Sequence, residues 1–470
     1  MFAQINQIIT VIDNAVWGMP LICLIMATGI FLTARLGLVQ IRHLGKAFKF
    51  MFKDEEDGHG EVTSFGALCT ALSATIGTGN IAGVATAIAV GGPGALFWMV
   101  LAAFFGMATK YSEGLLAIKY RTIDEDGHVL GGPFYYIENG MGKNWKWLAK
   151  LFAFFGAGVG LFGIGTFTQV NSIASAVKNF FDPNMAHTVA LFGGEYSWAT
   201  VIAGLILTLC VGLVVIGGIQ RISKVSEVVV PFMAVLYVGL ALIIIITNIT
   251  AVPGAFVTII KSAFTGSALA GGAVGSMFVA MQKGVARGIF SNESGLGSAP
   301  IAAAAARTKE PVRQGLVSMT GTFIDTIVIC TMTGLSIVIA GSWLNPDLEG
   351  VEITMDAFQK GLPFPGFVAT FSLMLCLVFF AFTTILGWDY YGERCVEYLF
   401  NKNKGVVKGY RWLYIIAVFI GPYMTVAAVW NIADIFNALM AFPNLIALLV
   451  LNGVVVKETK EFHAKHNGSY

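Results

Sequence analysis

Residues 71–94 read ALSATIGTGNIAGVATAIAVGGPG, an apolar span interrupted at its middle by Gly77, Thr78, Gly79 and Asn80. A helix that crosses lipid keeps its backbone bonded to itself, and glycine does this poorly. Non-helical backbone is tolerated at membrane depth only where protein buries it or a watery cavity lies beside it. The break therefore predicts N–H and C=O groups turned toward a ligand or ion.

The rest of the composition places this stretch in a membrane. The 470-residue chain is 56% hydrophobic and 12% charged, with a mean hydropathy of +0.76; ordinary soluble proteins carry roughly 25% charged residues. A formal net charge of +2 gives no reason to expect a nucleic-acid partner, and no obligate protein partner is evident. The six cysteines fall in or beside apolar stretches without metal-ligand spacing, so they read as packing residues. The N-terminal MFAQINQIITVIDNAVWGMP lacks the basic region of a signal peptide and is expected to be retained.

Counting apolar segments long enough to span gives about eleven, near 15–34, 66–91, 95–118, 150–177, 198–218, 227–248, 262–300, 314–341, 366–390, 411–430 and 434–456. All Lys and Arg residues except Lys178, Lys261 and Lys360 then fall on one side. This asymmetry puts the N-terminus outside and the C-terminus in the cytoplasm of a multi-pass cell (inner) membrane protein. Setting aside the first span, within 1–65, leaves ten, divisible into 66–248 and 249–456, with 457–470 as a cytoplasmic tail. An odd number of spans per half makes the halves inverted, and transporters of that design carry a broken helix in each. The second break is expected at Gly271, Gly272, Gly275 and Ser276. The expected fold is thus all-α, one N-terminal helix followed by a 5+5 inverted repeat. Close helix packing, as in Gly79-x-x-x-Gly83, is the alternative reading of such glycines. Segments 35–65 and 119–150 read as solvated linkers.

An unwound segment has two complementary ends. The N-terminus of the helix resuming near Asn80 suits a carboxylate, and the carbonyls ending near Ile76 suit a cation. Thr78, Gly79 and Asn80 are candidates for the first role; Gly275, Ser276 and Met277 would offer carbonyls to an ammonium. Gln169, in GTFTQVNSIASAV, is a candidate hydrogen-bond partner of a substrate. In FAFTTILGW, Thr383 and Thr384 provide the oxygens that a hard cation takes, unless both bond their own helix. Trp388, Phe167 and Phe278 could wall a pocket. Asp325, mid-span in VSMTGTFIDTIVICTMTG, costs about 2.5–3.5 kcal/mol to insert; it reads either as a second cation or proton site near Asn80 or as a hydrogen-bonded lock between helices. Glu293 reads as a helix-end charge in solvent or a gate paired with Arg287 or Lys283. Gly158-x-Gly160-x-x-Gly163 matches a dinucleotide fingerprint in letters alone, since no strand precedes it. All six histidines lie outside the spans.

The segments ATIGTGNIAGVATA (74–87), GGPGALFWMVLAAFFG (91–106) and GIFSNESGLGSAP (288–300) resemble the alanine/glycine:cation symporter family, bacterial and archaeal carriers similar in fold to LeuT. Val100 departs from it, standing where that family usually has a second Trp. The resemblance covers nearly the whole chain. It implies a sodium site built from Thr383 and Thr384 with the carbonyls of Ser73, Ile76 and Phe380, and it implies Na⁺ as coupling ion with no organic cofactor. The expected activity is Na⁺-coupled import of alanine or glycine by alternating access. A channel or uniporter for a small polar solute is the second reading. A membrane-embedded enzyme is the third, disfavoured because no catalytic set converges within the spans.

Overall fold

The computed structural model describes residues 9, 11–12, 15–53, 55, 58–163, 165–191, 194–265, 277–424 and 427–466. The elements follow in order. They begin with α1 (Met19–Arg35), α2 (Ser64–Thr75), α3 (Val84–Gly91), α4 (Gly94–Tyr120), the hairpin β1 (Thr122–Ile123) and β2 (Val129–Leu130), α5 (Lys146–Phe162) and α6 (Phe167–Phe181). A second hairpin, β3 (Thr188–Leu191) and β4 (Gly194–Ser197), leads to α7 (Trp198–Val215), α8 (Gly218–Thr247), α9 (Val252–Thr265), α10 (Met277–Asn292), α11 (Ala299–Ala303), α12 (Pro311–Thr322) and α13 (Thr331–Ala340). The chain ends with α14 (Val351–Gly361), α15 (Gly366–Leu399), α16 (Lys404–Ile420), α17 (Ala427–Val450) and α18 (Asn452–His466). Both hairpins are antiparallel, with Thr122 opposite Leu130 and Thr188 opposite Ser197.

Six helical stretches are long and apolar enough to cross a membrane, and two bent pairs bring the number to as many as eight among the described residues. Helix α1 and the stretch Ile249–Thr265 are apolar but shorter than 18 residues. The first bent pair joins α2 to Gly79–Gly91 at 55°, and the second joins α17 to α18 at 56°. The fold is an all-α polytopic membrane protein. Its apolar residues agree: Ile202, Leu205, Leu209 and Leu213 on α7 and Val228, Phe232 and Val235 on α8 are exposed, as suits side chains facing lipid.

Inside, small residues let helices approach closely. A Cβ on Gly284 of α10 would stand 2.1 Å from Ala95 O of α4, and one on Gly315 of α12 would stand 2.7 Å from Tyr111 O. Gly158 and Gly160 work the same way, against Phe436 and against Tyr410 Oη with Trp388 O. That explains their spacing without a nucleotide. Local capping sets the helix starts: the Thr63 hydroxyl accepts Gly66 N–H at 2.9 Å before α2, and Asn403 Oδ1 accepts Gly405 N–H at 3.0 Å before α16.

Two readings of loops are corrected here. The 35–65 segment is not a wholly solvated linker, because Leu44–Met51 is helical and buries Ala47, Phe50 and Met51. The 119–150 segment is not all solvated either, since Val129, Leu130, Phe134 and Tyr136 are buried. Arg121 in the same segment donates to the carbonyls of Ala304, Ala306, His59 and Thr308 at 2.5–2.7 Å. Val62 and Ala306 form a parallel bridge beside it. Together these tie the start of α2 to the chain leaving α11 at the end of the molecule that holds the basic segments.

Candidate functional site

The first break lies where the sequence puts it. Helix α2 stops at Ile76, whose backbone is extended (φ −75°, ψ 95°), and a π-helical turn over Gly79–Gly83 leads into α3. Gly77 N–H donates to Asn80 Oδ1 at 2.8 Å. In a continuous helix it would have bonded Ser73 O, so that carbonyl is released. Thr78 N–H is likewise turned aside, to Gln169 Oε1 at 3.4 Å.

Helix α15 then presses onto this opening. Thr384 Oγ1 donates to Ile76 O at 3.3 Å and to Phe380 O at 2.9 Å, and Thr383 Oγ1 donates to Phe380 O at 3.0 Å. Both alternatives for the threonines therefore coexist: they bond their own helix, and Thr384 also reaches across to the break. The result gathers Ile76 O, Phe380 O and two hydroxyls, hard neutral oxygens of the kind an alkali cation takes. Glycine is required at the contact, since a Cβ on Gly77 would come within 2.6 Å of Thr384 Oγ1 and one on Gly387 within 2.8 Å of Ala74 N. Among the described residues no group of three His, Cys, Asp or Glu side chains could hold a metal.

Asp325 joins the same region. Its Oδ1 accepts Asn80 Nδ2–H at 2.8 Å, and its Oδ2 accepts Ser291 Oγ–H at 2.8 Å and Thr326 Oγ1–H at 2.7 Å. The carboxylate thus links the first break, the end of α10 and the π-helical turn Phe323–Cys330. Thr333 Oγ1 donates to Asn80 O at 2.8 Å and so secures the other side of Asn80.

A second break is present among the described residues, in a segment other than the one the sequence predicts. Gly271, Gly272, Gly275 and Ser276 lie outside the described residues. Within them, the chain breaks after Asn292 and resumes as a helix at Ala299, with Glu293, Gly295 and Gly297 at φ of +57°, +89° and +85°. This is the segment that meets the first break: a Cβ on Gly79 would lie 3.4 Å from Phe290 Cδ1 and 3.5 Å from Ser291 Cα. Met277 begins α10, fourteen residues before Ser291, which is about 21 Å along the helix axis. It is not brought to the first break. Phe278, its neighbour, is 59% exposed and does not form the enclosed wall expected with Phe167 and Trp388, both buried.

Glu293 is also corrected. It is 2% exposed, so it is no solvated helix-end charge. Its partners are Trp388 Nε1–H and the Ser298 hydroxyl rather than Arg287 or Lys283. Glu113, which the sequence reading missed, accepts Gly295 N–H at 3.1 Å and Asn444 Nδ2–H at 2.7 Å, holding the second break from α4 and α17. A carboxylate three residues after a lysine in an apolar stretch was the available signal.

The site is closed. Ser73, Ile76, Asn80, Asp325, Thr383 and Thr384 are each at most 1% exposed. An apolar cavity of about 680 Å³ lies elsewhere, between α6, α7 and α15. A solute reaches the breaks only if helices move.

Comparison with known proteins accords with this architecture. The sequence profile described as the Sodium:alanine symporter family matches residues 2–469. The chain is 54% identical to an uncharacterized transporter of Haemophilus influenzae, over 97% of this chain and 96% of that one. It is 49% identical to the sodium/alanine symporter AgcS of Methanococcus maripaludis, over 97% of each. It is 37% identical to the probable sodium/glutamine symporter GlnT of Bacillus subtilis, over 97% of this chain and 91% of that one. In fold it is similar to the crystal structure of MhsT in complex with L-phenylalanine, with a TM-score of 0.57 at 12% identity, covering 85% of this chain and 98% of that one. The chain belongs to the sodium:alanine symporter family, a family of membrane transporters and not of enzymes.

Proposed function

We propose that this protein imports a small neutral amino acid, alanine or glycine, together with Na⁺ by alternating access. The observation that carries the reading is the meeting of Ile76 O, Phe380 O, Thr383 Oγ1 and Thr384 Oγ1 at the first break, where Gly77 N–H and Thr78 N–H have left the helix ladder for side-chain oxygens. Na⁺ binds those oxygens and the released Ser73 carbonyl. The substrate carboxylate binds the N–H groups of Thr78, Gly79 and Asn80 at the positive end of the resuming helix, Asn80 N–H giving up its bond to Gly77 O at 3.2 Å. Gln169 Oε1 now accepts Thr78 N–H as a carboxylate oxygen would; on binding, it gives up that position and hydrogen-bonds the substrate through its amide. The ammonium is assigned to the carbonyls ending α10 near Phe290 and Ser291, the negative end of that helix, in place of Met277. Phe167 and Trp388 limit side-chain size. Asp325, with three donors already on its oxygens, is read as the lock between the breaks.

Halves 66–248 and 249–456, with about eleven spans in all, rock about the breaks. The basic end faces the cytoplasm and the N-terminus lies outside. The names of AgcS and GlnT support an amino acid and Na⁺; the close packing around Gly77 and Gly79 favours alanine over glutamine. The test is uptake of radiolabelled alanine into proteoliposomes with and without an inward Na⁺ gradient, with valine, leucine and glutamine as competitors. Concentrative, Na⁺-driven uptake blocked poorly by the larger amino acids is expected. Uptake that only equilibrates, with or without Na⁺, would replace this reading with a uniporter or channel.

A further inference from the structure

Five non-glycine residues among those described have positive φ: Leu38, Met185, Glu293, Asn401 and Lys402. Four of them are exposed, and Glu293 alone is buried, at 2%. A left-handed backbone at a buried non-glycine residue costs free energy and persists only where its surroundings enforce it. Both oxygens of the Glu293 side chain are engaged: Oε1 accepts the indole N–H of Trp388 at 3.1 Å, and Oε2 accepts the hydroxyl of Ser298.

Trp388 is fixed from its other sides as well. A Cβ on Gly165 would fall 2.3 Å from Trp388 Cβ, and Tyr391 meets the indole edge-on with ring centroids 5.4 Å apart. Its remaining freedom is rotation of the indole, which the Glu293 acceptor removes. Trp388 also sits four residues after Thr384, one turn along the same helix. The bond therefore runs from the second break to the helix that supplies the cation's hydroxyls.

We infer that Glu293 is a positioning residue that sets substrate size: by holding the Trp388 indole, it keeps the pocket too small for a branched side chain. This rests on the reading of Trp388 as a pocket wall. A carboxylate accepts an indole N–H more strongly than a neutral oxygen does, yet the role asks only for an acceptor at that place. Glu293→Gln retains one, whereas Glu293→Leu does not.

The experiment measures inhibition of Na⁺-driven alanine uptake by valine in proteoliposomes. In the wild type, valine inhibits far less well than alanine. Glu293→Leu is expected to narrow that preference by about tenfold, within the range that one or two methyl groups are worth in a tight pocket. Glu293→Gln keeps the wild-type preference. Trp388→Phe, which removes the donor, narrows it as Leu does, and the double variant goes no further. Should Glu293→Leu fail to insert, Glu293→Ser, polar but too short to reach the indole, carries the same expectation. Wild-type preference in Glu293→Leu, relaxed preference in Glu293→Gln, or additive effects in the double variant would each overturn the inference. A wild type that transports alanine yet admits valine equally would overturn it too. Only a wild type that fails to accumulate alanine on a Na⁺ gradient would defeat the functional reading itself.

Discussion

Thr384→Ala removes one hydroxyl from the cluster at the first break, and with it the contact to Ile76 O at 3.3 Å and to Phe380 O at 2.9 Å. Nothing else need change, because alanine is smaller and α15 stays packed on α2 around Gly387. A cation that uses this oxygen loses one ligand, and contacts to charged groups are worth about 1.5–3 kcal/mol. The apparent affinity for Na⁺ should fall by roughly 10- to 150-fold. The assay is the initial rate of alanine uptake in proteoliposomes titrated with external Na⁺. The half-saturating Na⁺ should rise while the maximal rate at saturating Na⁺ is largely kept, and Thr384→Ser, which keeps the hydroxyl, should stay near wild type. A wild-type Na⁺ titration in Thr384→Ala, repeated in Thr383→Ala, would refute the ion assignment.

Other perturbations probe separate parts. Gly77→Ala places a methyl group within 2.6 Å of Thr384 Oγ1, so Na⁺-driven uptake should be lost with insertion intact; near-wild-type uptake would mean that the two helices are not held this close. Asp325→Asn should lower the rate of uptake but leave its pH profile and Na⁺ dependence in place. A displaced pH profile would restore the carboxylate to an ion or proton role. Arg121→Ala removes the donor shared by four backbone carbonyls, so the buried Cys69 of α2, in a background lacking the exposed Cys23 and Cys210, should react several-fold faster with a thiol reagent; an unchanged rate would show that the clamp does not keep that end shut. His128, in the hairpin beside Arg121, has its pKa pushed up to about 9 by its hydrogen bonds to Glu397 and then Glu61, against burial and the opposing charge of Arg394. A raised folded-state pKa means that this contribution to stability is complete below the ordinary value near 6.5 and is lost as pH rises through about 9. The unfolding temperature should therefore fall between pH 7 and 10 more in the wild type than in His128→Gln, and parallel curves would count against the link.

The first break was legible because Gly77, Thr78, Gly79 and Asn80 put four consecutive glycine or polar residues in the middle of an apolar span, and Thr383 and Thr384 because adjacent hydroxyls in such a span need partners. The link between Asn80 and Asp325 was legible as a buried carboxylate in want of donors. The break after Asn292 was not legible for the opposite reason. Polar letters in SNESGLGS imitate the end of a helix. Only the tertiary packing shows that Glu293 is enclosed and that Phe290 and Ser291 abut Gly79. Arg121 illustrates the same limit: a basic residue after a span reads as an orientation marker, and its four carbonyl partners come from segments more than 60 residues away. Lys110 and Glu113 are both buried, one turn apart, in α4, a placement the sequence does not announce because charged residue types inside a membrane helix are uncommon.

The most direct measurement is entry of ²²Na⁺ into proteoliposomes with and without alanine outside. Alanine should stimulate ²²Na⁺ entry in the wild type, and at the same sub-saturating Na⁺ the stimulation should largely vanish in Thr384→Ala. Alanine uptake in the wild type with no accompanying ²²Na⁺ would contradict coupling at the broken helix.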